Sequence, residues 1–194
     1  RGARDMADPK WRASVVGPGG MIQDRKGRLI APVWRAGVDG VFTIYSDDHG
    51  RTWQRGQFVP AGQPGNEDQL VELADGRILI DYRQIKGPNR WLATSDDGGR
   101  TWSQPRPGVT VTPVACAIER YTLKSAGDDR DRILWTGPKG PGRRDLVVRV
   151  SYDEGQTFPV ERPILEGPAV YSDLAVLKVD AKDLPAATIG SSKN

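Results

Sequence analysis

This sequence is poor in the residues that most often carry chemistry. It has one cysteine, Cys116, and one histidine, His49. A lone cysteine forms no internal disulfide, so cysteine usage does not report the compartment. With no cluster of Cys and His, zinc has no ligand set to draw on, and His49 is expected to be an exposed turn residue. No apolar run approaches the roughly 20 residues that cross a bilayer as a helix, so no membrane span is expected. Neither sign of charge dominates: 28 Lys and Arg stand against 25 Asp and Glu, a net charge of +3. The basic residues are scattered, which gives nucleic-acid binding little support. Long helical segments are missing too, because 23 glycines and 15 prolines interrupt the chain too often.

What is present is a repeat. SDDHGRTW starts at Ser46, SDDGGRTW at Ser95 and SYDEGQTF at Ser151. The shared form is S-x-D-x-G-x-T-[WF]. Asp and Ser side chains bond nearby backbone N–H groups, and Gly supplies positive φ, so each copy is a tight turn. The segments before them, VFTIY, RWLAT and LVVRV, are rich in β-branched and aromatic residues, as strands are. A second feature keeps step: GRLIAPVW, GRILIDYR and RILWTGPK. From Arg28 to Ser46 is 18 residues, from Arg77 to Ser95 is 18, and from Arg132 to Ser151 is 19. A period near 50 residues with several short strands per unit predicts an all-β fold, the β-propeller, one unit per blade.

Function is sought where one unit departs from its sisters. Arg83 falls six residues after Arg77, where the first unit has Trp34 six after Arg28. Glu67 heads the strand before it. Arg143 and Arg144 open the strand that runs into the third turn. Tyr171 is expected to head an apolar strand after a Gly-Pro turn.

These segments resemble the exo-α-sialidases (neuraminidases) with Asp-box, or BNR, repeats. NEDQLVELADGRILIDYR is similar to that family's N-E-x-x-[VL]-x-E-L-x-D-G-x-[LI]-x-x-x-x-R segment. R-x-x-x-x-x-R-x-S-x-D-x-G runs from Arg143 to Gly155, YSDLAVL is similar to the family's Y-S-x-L-x-x-L, and WRASVVGPGGMIQDRKGRLIAPVW to its W-x-x-G-P-G-x-G-I segment. The resemblance covers nearly the whole chain. It implies a six-bladed propeller of which about three to four blades are present. Residues 1–194 would then form a partial domain lacking its N-terminal blades and its C-terminal closing strands.

The resemblance also implies roles. Sialic acid bears a carboxylate on its anomeric carbon, which planar, permanently charged arginines clamp well. Arg83 matches the second and Arg143 the third of the family's three arginines. The same carboxylate repels an anionic nucleophile, and a neutral phenol avoids that repulsion. Tyr171 matches the nucleophile and Glu67 its base, because a phenol with a pKa near 10 needs one. No metal or organic cofactor is implied, the partner is a sialylated glycan or glycoconjugate, and a secreted or periplasmic location is favoured. In the family, the ACAIERY strand passes close to the pocket, so Cys116 and Glu119 are candidates to line it.

Two family parts have no counterpart here: the first arginine and the Asp that serves as acid/base catalyst. The chain alone is therefore expected to be inactive, within a longer parent that is a sialidase. The alternative is a non-catalytic Asp-box propeller that binds glycans or proteins. A different Asp-box glycosidase is disfavoured, since neutral sugars offer no carboxylate to clamp. Plain structural readings remain as well. Glu67 and Arg83 could form a cross-strand salt bridge, Tyr171 could be an ordinary strand aromatic, and Arg149 is explained by the strand it sits in.

Overall fold

The computed structural model describes residues 13–37, 40–60 and 62–177, arranged as three antiparallel sheets in chain order. The first blade holds β1 (Ala13–Val16), β2 (Ile22–Gln23), β3 (Leu29–Ala36), β4 (Gly40–Ser46) and β5 (Gln54–Arg55). The second holds β6 (Gly65–Glu72), β7 (Ile78–Gln84), β8 (Asn89–Ser95) and β9 (Arg106–Thr110). The third holds β10 (Ala117–Thr122), β11 (Arg132–Pro138), β12 (Arg144–Ser151) and β13 (Val160–Pro168). In the second and third sheets the strands pair in the order in which the chain makes them, and the first follows the same meander with β1 and β2 together in the place of one inner strand, as in propeller blades. Among the described residues no helix is long and apolar enough to cross a membrane.

The second blade is covered on both faces, and its sequence shows why. In β7, Ile78, Ile80 and Tyr82 join a core with Ile30, Tyr45 and Leu70, while Leu79 joins Val71, Leu92, Ile133 and Trp135. A strand buried on both sides has a continuous apolar run instead of an alternating one. The inner strand of the first blade is split. β1 and β2 both pair with β3, and Pro32 stands opposite the gap between them. Its carbonyl accepts the Gly17 N–H at 2.9 Å, and the proline has no N–H of its own to leave unpaired there. The interrupting segment lies against β6 so closely that a Cβ at Gly17 would stand 2.1 Å from the Asp68 carbonyl oxygen, and one at Gly19 2.0 Å from the Gln69 side chain.

The three Asp-box turns are built alike. The Ser46 hydroxyl donates to Asp48 Oδ1 at 2.7 Å and accepts the Gly50 N–H at 2.9 Å. Asp48 in turn accepts the Thr52 N–H at 2.8 Å and the Thr52 hydroxyl at 2.6 Å. Ser95, Asp97 and Thr101 repeat this set, as do Ser151, Asp153 and Thr157. Hydrogen bonds from the Thr52 hydroxyl, then the Thr52 N–H, then Ser46 hold the Asp48 carboxyl down at about 2. These residues are structural, as the sequence suggested.

The second and third turns are also held by the blade before them. Arg28 of the first blade donates to the carbonyls of Asp97 and Gly98 at 3.0 and 3.2 Å, and the Thr43 hydroxyl to that of Gly99 at 2.5 Å. In the third turn, Glu154 accepts the Ala74 N–H of the second blade at 2.6 Å, and Arg106 donates to the Gly155 carbonyl at 3.3 Å.

A buried ion pair binds the second and third blades together. Arg90 and Asp81 are 0% and 1% exposed, with Nε to Oδ1 at 2.5 Å. The Trp135 indole donates to the other Asp81 oxygen at 3.1 Å, and Arg90 Nη1 donates to the Val114 carbonyl at 2.9 Å. Replacing one partner of such a pair leaves the other charged and buried. Arg90→Met is expected to cost about 3–5 kcal/mol of stability, read as a lower denaturant midpoint. An equal midpoint would show that the pair does not anchor the seam.

Candidate active site

Glu67 owes its position to an irregularity in β6. Asn66 pairs with Arg83 and Asp68 with Tyr82, so Glu67 is an extra residue on its strand. Its φ is +40°, a region that residues with a Cβ rarely enter. Such a β-bulge turns one side chain out of the ladder and is common beside active sites. The Glu67 carbonyl is met from below by Arg90 Nη2 at 3.5 Å, which ties the bulge to the buried ion pair.

Arg83, near the end of β7, reaches the carboxylate thus presented. Its Nη1 donates to Glu67 Oε2 at 2.6 Å and to the Tyr171 hydroxyl at 3.4 Å. The Tyr171 hydroxyl itself donates to Glu67 Oε1. Residues separated by 104 positions in the chain thus share one carboxylate. The cross-strand salt bridge raised by the sequence exists, but it is one edge of a triangle that includes the phenol.

Arg143 lies in the turn before β12, one residue earlier than the strand start expected for it. Its Nη2 donates to the Pro113 carbonyl at 3.1 Å, and its charge bears on Tyr171. A backbone latch brings the two together: the Ala169 N–H donates to the Arg143 carbonyl at 2.9 Å. On the other side of Tyr171, the Ser172 hydroxyl donates to the Thr136 carbonyl at 3.0 Å. A second bulge, at Asp145 with φ +59°, shapes the turn that offers Arg143, and Asp145 Oδ1 accepts the Gly167 N–H at 2.8 Å.

The strand expected to begin at Tyr171 is absent. β13 continues through Gly167 and Pro168, and residues 169–177 have no strand assignment. An inner strand exists only where a neighbour completes its ladder, and no described strand lies beside this segment.

The electrostatics of the phenol are mixed. Its hydrogen bond to Glu67 raises its pKa most, followed by partial burial and the Glu67 charge, while Arg83 and Arg143 pull the other way. The resting group is a neutral phenol beside a proton acceptor. The phenol and the Glu67 carboxylate are therefore in contact, with the charges of Arg83 and Arg143 bearing on the phenol.

Cys116 and Glu119 do not join this group. Cys116 is fully buried, its thiol pushed up to about 11 chiefly by burial, and a Cβ on Gly137 would stand 2.7 Å from its sulfur. Glu119 makes no hydrogen bond to the group; it lines a pocket with Met21, Arg25 and Arg120, and the charge of Asp173, two residues beyond Tyr171, bears on it. Arg149 pairs with Glu161 at 2.9 Å and lies over the Trp135 ring, a structural role.

Three supporting residues escaped the sequence reading. Asp81 stands at the middle of β7 and Arg90 near the start of β8, opposite charges on adjacent apolar strands. Asp68 follows Glu67 immediately and is 0% exposed, and neither carboxylate oxygen has a hydrogen-bond partner among the described residues.

With this geometry established, comparison with known proteins identifies the chain. Residues 2–179 match the BNR repeat-like domain. The chain belongs to that family. The sialidase of Micromonospora viridifaciens is 34% identical over 183 residues, covering 88% of this chain and 28% of the relative. Human sialidase-4 is 38% identical over 157 residues, covering 71% of this chain and 32% of the relative. Among solved structures, a Hadza microbial sialidase superposes with a TM-score of 0.77 at 27% identity, over 88% of this chain and 34% of that one. The chain thus spans about a third or less of the length of these BNR-family relatives, and its three sheets are blades of the sialidase propeller.

Burial raises the Asp68 carboxyl to about 8. A carboxyl whose folded pKa lies above its unfolded value of about 3.9 loses stability as pH climbs between the two. Asp68→Asn removes that penalty. The variant is expected to be more stable than wild type at pH 8, on the order of a few kcal/mol, with the gap closing by pH 4. A gap independent of pH would show that Asp68 does not titrate in this window.

Proposed function

We propose that this chain carries the nucleophilic side of a retaining exo-sialidase site, and that the full-length protein releases terminal α-linked sialic acids from glycoconjugates. The observation that carries the reading is the Tyr171 hydroxyl donating to Glu67 with Arg83 bonded to both. A binding module has no need of a phenol set against a base.

In this mechanism Arg83 and Arg143 hold the substrate carboxylate. Glu67 takes the phenolic proton as the Tyr171 oxygen attacks the anomeric carbon, and the bond to the leaving oxygen breaks. That oxygen takes a proton from the general acid. Water then attacks the tyrosyl glycoside and gives its proton back to the conjugate base of that acid, while the departing Tyr171 oxygen recovers its proton from Glu67. Two inversions give net retention. The first arginine and the acid/base Asp of the family have no match in this sequence, so the isolated chain is expected to be inactive. A missing general acid alone removes a factor of roughly 10²–10⁴.

The test is sialic acid release from a fluorogenic α-sialoside by the full-length protein. Tyr171→Phe and Glu67→Gln are expected to lower kcat by at least about 10²-fold. Arg83→Lys is expected to raise KM, because an ammonium does not reproduce the planar two-point contact. A folded wild-type protein that releases nothing would leave a carboxylate-binding propeller.

A further inference from the structure

Asp68 takes no part in the mechanism above, yet it stands at the root of the bulge that presents Glu67. It is 0% exposed, and neither carboxylate oxygen has a hydrogen-bond partner among the described residues. A charge buried without a partner is costly, and a carboxyl so placed keeps its proton instead.

The cation that reaches it is committed elsewhere. Burial is the largest influence on Asp68; its own N–H, Arg90 and the Val33 N–H pull the other way, and neither N–H meets the carboxyl in hydrogen-bond geometry. Arg90 donates through Nε to Asp81, through Nη1 to the Val114 carbonyl and through Nη2 to the Asp81 and Glu67 carbonyls. The titratable groups on the elements packed around β6 are engaged as well. On β7, Tyr82 donates to the Gln63 carbonyl and Arg83 to Glu67. Arg35 of β3 lies by the Phe58 ring, Tyr45 of β4 donates to Gln54, and Glu119 and Arg120 of β10 line the pocket at Met21. On β6 itself Glu72 pairs with Arg25. Residues 17–21, between β1 and β2, carry no titratable side chain.

That segment is the cover over the carboxyl. A Cβ at Gly17 would stand 2.1 Å from the Asp68 carbonyl oxygen and 2.9 Å from Asp68 Oδ1. The Gly17 N–H is fastened to the Pro32 carbonyl at 2.9 Å, while Pro18 and Gly20 are exposed. With Gly19 packed on Gln69, the cover clamps the two residues that follow Glu67, whose φ of +40° has to be held by its surroundings. Water reaches an ionised Asp68 only by lifting this cover.

We propose that Asp68 is a positioning residue that works protonated: as a neutral acid it lets residues 17–20 close on β6 and hold Glu67 at the rim, and as an anion it opens that cover and lets the bulge relax. The consequence for catalysis rests on the sialidase reading and adds regulation to it, since the site is then switched down in alkaline solution by a group that does not touch the substrate. Under the closed cover burial holds the carboxyl up at about 8. In water it returns to about 3.9. Opening is therefore favoured progressively as pH climbs from the lower value to the higher.

The experiment reads the full-length protein in two ways, beside Asp68→Asn, which keeps the shape and does not ionise. The first is kcat on an aryl α-sialoside, whose leaving group needs little help from the general acid. In wild type it is expected to fall at least about tenfold between pH 7 and pH 9, the loss due to one group with a value of about 8. In the variant the two rates are expected to agree within about twofold. The second is hydrogen-exchange protection of the Gly17, Gly19 and Gly20 amides, corrected for the intrinsic rate. It is expected to fall about tenfold or more from pH 5 to pH 8 in wild type and to hold level in the variant. The same pH profile in both proteins, by either reading, would overturn the switch and leave the sialidase intact. If Asp68→Asn does not fold, a level exchange profile in wild type overturns the switch and a falling one supports it. A wild type that cleaves nothing at any pH overturns the sialidase reading, and the exchange profiles then decide the cover by themselves.

Discussion

The Arg90 guanidinium, sealed from water, is the constraint around which the described structure is arranged. It neutralises Asp81 within its own sheet, holds the Val114 carbonyl on the way into the third blade, and touches the Glu67 carbonyl at the bulge. Through Asp81 it also fixes the Trp135 indole. Charges this deep cost several kcal/mol each to bury and are tolerated only when every donor and acceptor is placed. Here each partner lies on an element that the site depends on. The blade seam and the placement of the glutamate are consequently one problem with one solution.

Around that anchor the site combines two kinds of disorder in the ladder. Glu67 and Asp145 both sit at positive φ where the strand register slips. The first slip aims a carboxylate at the rim. The second shapes the turn that carries Arg143, and its side chain ties down Gly167 just ahead of Tyr171. Backbone strain of this sort costs of order 1–3 kcal/mol per residue and persists only where the surroundings overdetermine it. The tight packing of Gly17 and Gly19 on Asp68 and Gln69 supplies that rigidity for the first bulge.

Much of this was legible in the residues. The repeat spacing gave three sheets with the Asp-box turns in their expected places, because turn chemistry is local and repeats itself. The four candidate residues, Glu67, Arg83, Arg143 and Tyr171, lie in segments that depart from the repeat, and the resemblance to the sialidases is what singled them out and gave them roles. The contacts joining Glu67, Arg83 and Tyr171 could not be read from spacing, since they depend on a bulge that inserts one residue. Nor could the Arg90 pair, whose meaning requires knowing that both faces of β7 are covered. The expected strand at Tyr171 failed for a related reason: a strand belongs to a sheet and not to a sequence. Cys116 and Glu119 lie where the resemblance placed them along the chain, yet a sulfur packed against Gly137 and a carboxylate turned to another pocket do not reach the phenol.

The Asp-box turns close their own hairpins and are also held by the blade before: Arg28 and Thr43 grip the second turn, and Ala74 and Arg106 the third. This gives the propeller a direction. Each blade finishes its successor, so no sheet is a self-contained module. In a lineage that gains, loses or trades blades, the natural cut therefore falls inside a sheet, from one Asp-box turn to the next. A crossover there carries Arg106 and the third turn, which it grips, together, while one at the visible border between the second and third sheets divides them.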